Sequence, residues 1–256
     1  MSESTPTKQH LYLVDGSAYI FRAYHALPPL TAPDGTPTGA VHGMGNMLRR
    51  LIKDYAPQQL AVVFDPPGKT FREDLYPEYK ANRGATPEDL VIQFPLVVEL
   101  CEAMGLRVLQ IPGVEADDVI GTLATRAAAR GEPVLIVSGD KDFYQLVQPG
   151  IHLMNPGRGG AQGVAAEWVT EENADEKFGI PPRQVADYLA LVGDSSDNVP
   201  GARGIGPKTA VKLLAEHPDI ETLLEHVDDV SPTRAQNSLR ENADEVRLSK
   251  RLVNIM

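Results

Sequence analysis

Short apolar runs alternate with longer stretches of helical periodicity over the first part of the chain. The apolar runs end at polar or turn-forming residues, which is typical of buried strands, and they lie at residues 10–14, 60–64, 107–111, 133–137 and 151–154. Apolar residues spaced three or four apart predict helices at residues 39–55, 94–104 and 117–130. Strands that alternate with helices predict an α/β fold, with a central, mostly parallel sheet and helices on both faces.

After the last predicted strand the pattern changes to a helix-rich stretch. Helices are predicted at residues 166–178, 182–192, 207–216 and 234–253, and Pro207 suits the first turn of one of them. The sequence therefore predicts an N-terminal α/β core, residues 1–176, and a C-terminal helical module, residues 177–256.

Composition places the chain among globular proteins and raises one difficulty for nucleic-acid binding. The polar start of the sequence, residues 1–10, lacks a signal-peptide core and no run is long enough to span a membrane, so a cytoplasmic protein is expected. The single cysteine, Cys101, has apolar neighbours and is expected to be a buried structural thiol. The net charge of −11 argues against phosphate binding unless basic residues are concentrated locally.

Acidic residues follow the predicted strands and recur further along the chain. Since the carboxyl ends of parallel strands share one edge, Asp15, Asp65, the acids of residues 115–118 and Asp140 are expected to meet there. Like charges about 5 Å apart repel by about 3 kcal/mol at an effective dielectric of about 20, so such a cluster favours a bound cation. Oxygen ligands without His or Cys indicate Mg²⁺ or Mn²⁺. The full acidic set is Asp15, Asp65, Glu115, Asp117, Asp118, Asp140, Asp142, Asp194 and Asp197.

A simpler interpretation of single members of this set stays open. Acids in the first turn of a helix are favoured by its dipole, and Gly-Asp is common in turns. Asp194 and Asp197 are three residues apart, which predicts that they share a helical face and approach one ion together.

Two further segments suit contact with nucleic acid. Gly204-Ile205-Gly206 lies between two predicted helices, with Lys208 just inside the second, and such a turn exposes backbone N–H groups to a phosphate, although Gly-x-Gly turns are common. Residues 69–83 interleave basic and aromatic side chains, which suits a strand threaded past stacking rings. The acids within residues 69–83 also permit an ordinary solvated helix.

Several motifs together resemble a known family of nucleases. They are Asp15-Gly-Ser, YPEYKANR at residues 76–83, EADD at 115–118, SGDKD at 138–142, GDSSDNVPG at 193–201 and GIGPKTA at 204–210. In this order they resemble the motifs of the 5′-3′ exonuclease domain of bacterial DNA polymerase I and of related flap endonucleases. The resemblance implies a PIN-like, resolvase-like nuclease core with a helical arch at about residues 66–94. It also implies a helix-hairpin-helix type module that holds duplex DNA through a bound K⁺ ion.

The same resemblance implies residue roles. Asp15, Asp65, Glu115, Asp117 and Asp118 correspond to a first metal cluster, and Asp140, Asp142, Asp194 and Asp197 to a second. Lys80 and Arg83 match arch residues that contact the scissile phosphate, Tyr79 an aromatic that stacks near it, and Arg22 a basic residue near the active site. The residues expected to bind DNA are Gly204, Ile205, Gly206, Lys208, Thr209, Lys69 and Arg72.

The implied function is hydrolysis of phosphodiester bonds by two Mg²⁺ or Mn²⁺ ions in replication and repair. Expected substrates are DNA 5′ flaps, nicked or branched duplexes and RNA–DNA primer junctions, and expected partners include polymerase domains on the same or a separate chain. Two alternatives stay open: a DNA-structure-binding protein without turnover, and a metal-dependent ribonuclease with the same sheet. Residues 204–210 favour duplex DNA over the ribonuclease.

Overall fold

A computed structural model describes residues 9–157 and 165–256. Residues 1–8 and 158–164 of the predicted core, residues 1–176, lie outside the described residues. Residues 1–8 are also most of the polar N-terminus. The described part of the chain forms one six-stranded sheet in the order β3-β2-β1-β4-β5-β6, parallel except for β6. The strands are β1 Leu11–Asp15, β2 Gln59–Val63, β3 Arg107–Leu109, β4 Val134–Val137, β5 Ile151–Asn155 and β6 Glu167–Val169.

Ten α-helices lie between and after the strands of the described chain. They are α1 Gly16–Ala26, α2 Gly39–Tyr55, α3 Phe71–Leu75, α4 Glu88–Ala103, α5 Ala116–Ala129, α6 Val185–Val192, α7 Pro207–Glu216, α8 Ile220–Glu225, α9 Thr233–Glu241 and α10 Ala243–Val253.

The chain divides into two compact units, and neither is continuous in sequence. The first unit, Met1–Gly68 with Ala85–Phe143 and Gln148–Thr170, contains the sheet together with α1, α2, α4 and α5. The second unit combines Glu171–Met256 with Lys69–Gly84 and Tyr144–Val147, so it contains α3 and α6 to α10. Part of the predicted arch is therefore grouped with the C-terminal helices.

The sheet of the first unit is covered by helices on both faces. Alternate strand residues point to opposite faces, and Tyr12 and Val14 are fully buried in one cluster with side chains of α1, α2 and α4. Leu13 points the other way, towards the face on which α5 contacts β1 and β4. This arrangement confirms the predicted α/β fold with a mostly parallel sheet.

Strand order reverses at β1, and this sets where a site can form. The chain runs from β1 outward to β2 and β3, then returns to the other side of β1 through β4. Crevices in open parallel sheets form at the carboxyl ends of strands where such a reversal occurs. Gly16 allows the ring of Phe64 to pack against the start of α1, since a β-carbon on Gly16 would lie 2.6 Å from that ring. The acidic residues that follow β1, β2 and β4 are therefore placed around one crevice.

The second unit is organised around a buried acid. Asp187 of α6 is 3% exposed, and its Oδ1 accepts hydrogen bonds from Lys250 Nζ in α10 at 2.5 Å and from the N–H of Ile220 in α8 at 3.0 Å. A buried charge is tolerated when it is paired and hydrogen-bonded. Asp187 thus joins three helices of this unit.

Two helix predictions in the C-terminal half are wrong. Residues 166–178 contain strand β6 and a short 3₁₀ turn at Ala174–Glu176, because Trp168 pairs with Met154 at the edge of the sheet. Residues 234–253 form two helices instead of one. The break falls at Asn242, whose backbone leaves the helical conformation with φ of −121° and ψ of 23°, and whose side-chain N–H donates to the carbonyl of Ser238 at 2.8 Å.

The remaining predictions from composition concern the membrane and the cysteine. Over residues 9–157 and 165–256, none of the helices has the length and apolar character that crossing a membrane requires. Cys101 is fully buried, as predicted, and this burial raises the pKa of its thiol to about 11. A thiol with such a pKa stays protonated near neutral pH, which agrees with a structural role.

Candidate active site

Asp15 lies at the centre of the acidic residues in the first unit. It ends β1 and caps α1: its Oδ1 accepts a hydrogen bond from the N–H of Ala18 at 2.9 Å, and its Oδ2 accepts one from Ser138 Oγ at 2.7 Å. The residue is 4% exposed. Both carboxylate oxygens are therefore held in fixed positions by uncharged donors.

Neighbouring carboxylates act on Asp15. The pKa of Asp15 is raised to about 6: burial raises it most, the hydrogen bonds from Ala18 and Ser138 lower it, and the charges of Asp140 and Asp65 raise it. The structure thus brings together the acids that follow β1, β2 and β4. Concentrated negative charge of this kind favours a bound cation.

Asp65 connects this group to the start of α5. Its backbone N–H donates to Ser17 Oγ at 2.9 Å, and its Oδ1 accepts from the N–H of Ala116 at 2.8 Å. Glu115 and Asp118 form a reciprocal capping box at the same helix end, with the N–H of Glu115 donating to Asp118 Oδ2 at 3.2 Å. These acids therefore do cap a helix, and a carboxylate that accepts one such bond keeps further lone pairs for a metal ion.

Ser138 links Asp15 to the acids that follow β4. Its hydroxyl donates to Asp15 and accepts from the N–H of Asp140 at 3.0 Å, and the N–H of Asp142 in turn donates to Asp140 Oδ1 at 2.9 Å. Ser138 was not predicted as a site residue. The available signal was its place directly after a buried strand and before Gly139-Asp140.

Arg22 lies in the same electrostatic neighbourhood as Asp15. Burial raises the pKa of the Tyr19 hydroxyl, while the charge of Arg22 lowers that pKa and the charge of Asp15 raises it. The Arg22 guanidinium also donates to the carbonyl of Gly157 at 2.6 Å, which fixes its direction. A fixed cation near the carboxylates agrees with the position predicted for Arg22.

Asp194 and Asp197 lie in a turn of the second unit and do not share a helical face, so that prediction is wrong. Helix α6 ends at Gly193, where φ is +77° and a β-carbon would lie 2.7 Å from the carbonyl oxygen of Val199. The N–H groups of Asp194 and Val199 donate to each other's carbonyls at 2.9 and 2.8 Å. Asp194 Oδ1 accepts from the N–H and hydroxyl of Ser196 at 2.8 and 2.6 Å, which closes the turn.

Three predicted arch residues meet Asp197, and all belong to the second unit. The hydroxyl of Tyr79 donates to Asp197 Oδ2 at 3.2 Å, Lys80 Nζ lies 3.8 Å from the same oxygen, and Arg83 Nη2 forms an ion pair with Oδ1. The backbone N–H of Lys80 also donates to the Asp197 carbonyl at 2.9 Å. The carboxylate of Asp197 is thus neutralised by basic side chains.

Two asparagines fasten the same segment to the turn and were not predicted. Asn82 Nδ2 donates to the carbonyl of Ser195 at 2.6 Å, and Asn198 Nδ2 donates to the carbonyl of Glu78 at 2.6 Å. Asn198 has φ of +57°, a left-handed conformation that asparagine tolerates better than most residues. These bonds join residues 78–83 and the Asp194 turn into one local structure.

The predicted DNA-binding role of Arg72 is wrong. Its side chain is 2% exposed, and its guanidinium donates to the carbonyls of Leu252 at 2.7 Å and Asn254 at 2.9 Å. Arg72 therefore tethers α3 to the end of α10. Tyr79 is 6% exposed and Ile205 3%, so both are packed inside the second unit, whereas Lys69 is exposed.

The Gly204-Ile205-Gly206 turn leads directly into α7. Gly204 has φ of +84°, the N–H of Ile205 donates to the carbonyl of Ala202 at 3.0 Å, and that of Thr209 donates to the carbonyl of Gly206 at 3.0 Å. Apart from Gly206 itself and its two chain neighbours, no described atom lies within 4 Å of the position of a β-carbon on Gly206. Lys208 is exposed in the first turn of α7. The start of α7 is therefore open to a ligand, beside a basic side chain.

Two family models together match almost the whole chain. The first, described as 5′-3′ exonuclease, N-terminal resolvase-like domain, matches residues 10–179. The second, described as 5′-3′ exonuclease, C-terminal SAM fold, matches residues 180–256.

Curated proteins with similar sequences include a separate exonuclease and longer polymerases. The 5′-3′ exonuclease of Aquifex aeolicus (strain VF5) is 44% identical over 216 residues, which cover 84% of this chain and 72% of that protein. DNA polymerase I of Rhizobium leguminosarum is 47% identical over 254 residues, covering 96% of this chain. The chain spans 24% of the length of that polymerase.

Solved structures with a similar fold bind metal ions or DNA. The T5 5′-exonuclease with zinc ions bound aligns with a TM-score of 0.79 and 21% identity, covering 96% of this chain and 89% of that one. The catalytic core of Rad2 in complex with DNA substrate aligns with a TM-score of 0.61 and 16% identity, covering 98% and 80%. At these identities the likeness shows a shared fold.

Proposed function

Because the chain belongs to the 5′-3′ exonuclease family, we propose that it is a structure-specific 5′-3′ exonuclease and flap endonuclease. It hydrolyses phosphodiester bonds in DNA 5′ flaps and in RNA primers during replication and repair. The observation that carries this proposal is the meeting of Asp15, Asp65 and Asp140 at the carboxyl edge of the sheet, where burial and, to a smaller extent, the charges of Asp140 and Asp65 raise the pKa of Asp15.

The donor set of this edge fits Mg²⁺ or Mn²⁺. The acids gathered there offer carboxylate oxygens, and a buried Asp15 that faces two other acids is stabilised by a cation. Asp15, Asp65, Glu115, Asp117 and Asp118 would hold a first ion, and Asp140, Asp142, Asp194 and Asp197 a second. When bound, two such ions supply a hydroxide nucleophile and stabilise the leaving oxygen. The zinc in the T5 5′-exonuclease shows that a protein of this fold binds divalent ions.

The chain's own basic residues would bind the reacting phosphate. Lys80 and Arg83 neutralise Asp197 in the structure, and in the working enzyme they would exchange that carboxylate for the scissile phosphate. Arg22, held by the carbonyl of Gly157, would add positive charge beside the sheet edge. The Lys80 ammonium lies 4.9 Å from the centroid of the Tyr79 ring. The main role of Tyr79 would therefore be to support Lys80, and stacking on the substrate would be secondary.

The second unit would supply the grip on duplex DNA. The open N-terminus of α7 after Gly206, with Lys208 beside it, suits a backbone phosphate, and a K⁺ ion would complete this site. We place the division between catalytic core and helical module near residue 176. Polymerase domains, on this or another chain, would be its partners in the cytoplasm.

Cleavage of a labelled 5′-flap duplex in the presence of Mg²⁺ tests the proposal. Wild-type protein is expected to release the flap, and Asp140→Ala to lose this activity while it still binds the duplex. Glu132→Gln removes an exposed acid of the first unit that pairs with Arg130, and it serves as a matched control with normal cleavage.

The same assay separates the alternatives. Binding without cleavage by the wild-type protein would indicate a non-catalytic DNA-structure-binding protein, and cleavage of free RNA alone would indicate a ribonuclease. Cleavage that continues at an unchanged rate in excess chelator would contradict the metal-dependent mechanism.

A further inference from the structure

A basic side chain from another helix lies against the Gly204-Ile205-Gly206 turn. Arg234 is in the first turn of α9, and its Nε and Nη2 atoms are each 3.2 Å from the position that a β-carbon on Gly204 would occupy. Gly204 needs the left-handed backbone, with φ of +84°, and its missing side chain makes room for this guanidinium. The turn is therefore covered on one side by a cation from α9.

Helix α9 is fastened to the turn by a second contact. The hydroxyl of Ser238, which is 7% exposed, donates to the carbonyl of Arg203 at 2.7 Å. Ser238 and Arg234 are four residues apart, so they share one face of the helix. The face that anchors the turn backbone thus also sets the position of the Arg234 guanidinium.

Positive charge at this turn is not cancelled by acids. Within the part of the chain that the structure describes, no carboxylate forms an ion pair with Arg203, Lys208 or Arg234, and all three are exposed. Arg240, on the same helix as Arg234, is paired with Asp228. In a chain of net charge −11, exposed cations that form no ion pair with a described carboxylate mark a surface suited to an anion.

We propose that Arg234 is a further contact to the phosphate backbone of duplex DNA, placed by α9 beside the Gly204-Ile205-Gly206 turn. This inference rests on the proposed function, in which that turn grips the duplex. A guanidinium presents paired N–H donors that match phosphate oxygens, and such a contact fixes position without reading sequence. Ser238 is a positioning residue, since it acts through the turn backbone.

The salt dependence of duplex binding tests this role. Binding of a nicked duplex is measured by fluorescence anisotropy in the Asp140→Ala background between about 50 and 200 mM salt, a range in which lost phosphate contacts are readily detected. Arg234→Gln is expected to reduce the slope of log affinity against log salt by about 0.9, and to weaken binding by roughly fivefold to tenfold near 0.1 M salt. Arg234→Lys should keep most of the slope, because the charge remains.

Arg240→Gln is the matched control, since it removes the same charge from the same helix but at a residue already paired with Asp228. An unchanged slope for Arg234→Gln overturns the inference, and so does an equal fall for Arg240→Gln, which would report net charge alone. Lys208→Gln separates this inference from the proposed function. If Lys208→Gln lowers the slope and Arg234→Gln does not, only the phosphate contact of Arg234 is excluded. If the wild-type protein shows no duplex binding, the proposed function fails.

Discussion

Asp15 at the sheet edge and Asp197 in the turn after α6 are held in opposite ways. Asp15 takes its hydrogen bonds from uncharged donors, Ala18 and Ser138, and burial together with the charges of Asp140 and Asp65 raises its pKa to about 6. Asp197 is met by the charged groups of Lys80 and Arg83. The negative charge of Asp15 is therefore not balanced by these donors, whereas that of Asp197 is balanced by its partners.

This difference separates two tasks that acidic residues perform. Uncharged donors fix the geometry of a carboxylate without cancelling its charge, so the attraction for a cation is kept. Ion pairs cancel the charge but can be exchanged, particularly where one partner is partly exposed, as Arg83 is at 53%. Asp15 thus keeps its charge for an ion, whereas Lys80 and Arg83 can exchange Asp197 for another anion.

The largest expected effect is on catalysis. Asp15→Asn keeps the shape of the side chain but removes a central negative charge, so flap cleavage should fall by roughly a thousandfold or more. Single-turnover cleavage with Mg²⁺ measures this change. Asp34→Asn, an exposed acid of the first unit, is the control and should cleave normally. Near-normal cleavage by Asp15→Asn would show that the acids at the carboxyl edge of the sheet do not form the catalytic site.

The second effect is on stability as the pH changes. Burial favours protonated Asp15 in the folded state, where its pKa is about 6 against an ordinary value of 3.8. Its contribution is thus fully present below about pH 4 and lost as the pH rises through about 6, by on the order of 3 kcal/mol. Urea unfolding in chelator, compared between wild type and Asp15→Asn, isolates this group. Parallel pH profiles for the two proteins would contradict the raised pKa of Asp15.

The smallest effect is on the Asp197 ion pairs. Asp197→Asn should lower the free energy of unfolding by about 1 kcal/mol, because its partners are partly exposed, and should speed tryptic cleavage after Lys80 and Arg83. Asp228→Asn breaks the comparable exposed pair with Arg240 and should leave cleavage at those sites unchanged. If Asp197→Asn and Asp228→Asn accelerate tryptic cleavage after Lys80 and Arg83 equally, residues 78–83 are not held by Asp197.

Elements with strong local signals were predictable from the sequence. The predicted bounds of residues 39–55 and 207–216 agree with α2 and α7. Helix α7 starts at a proline, which its first turn accepts, and α2 ends where Ala56 adopts a left-handed backbone. In both helices the buried apolar residues follow the helical period. The local sequence is therefore enough to predict where these two helices begin and end.

Elements that depend on distant partners were not predictable. Residues 166–178 are rich in Ala and Glu, which favours a helix. However, Glu167–Val169 pairs with the outer edge of β5 and forms a strand of the sheet. Arg72 sits in a segment that resembles a nucleic-acid contact, yet its acceptor on Leu252 is 180 residues away in sequence. Burial of a basic side chain cannot be seen from its neighbours alone.

In the candidate site, too, some residues could be predicted from the sequence and others could not. The meeting of Asp15, Asp65 and Asp140 follows from parallel strand topology, which the sequence predicts. The supporting donors Ser138 and Asn82 do not, because an uncharged side chain acquires its role only from the tertiary partner it reaches.

The discontinuity of the second unit has a consequence for the order of synthesis. Tyr79 leaves the ribosome 118 residues ahead of its partner Asp197. At about 5 to 20 residues per second, this interval lasts roughly 6 to 24 seconds. During that time Lys80 and Arg83 are basic groups of a nascent chain whose acidic counterpart does not yet exist, so the segment that closes on Asp197 must be completed after translation of the helical region.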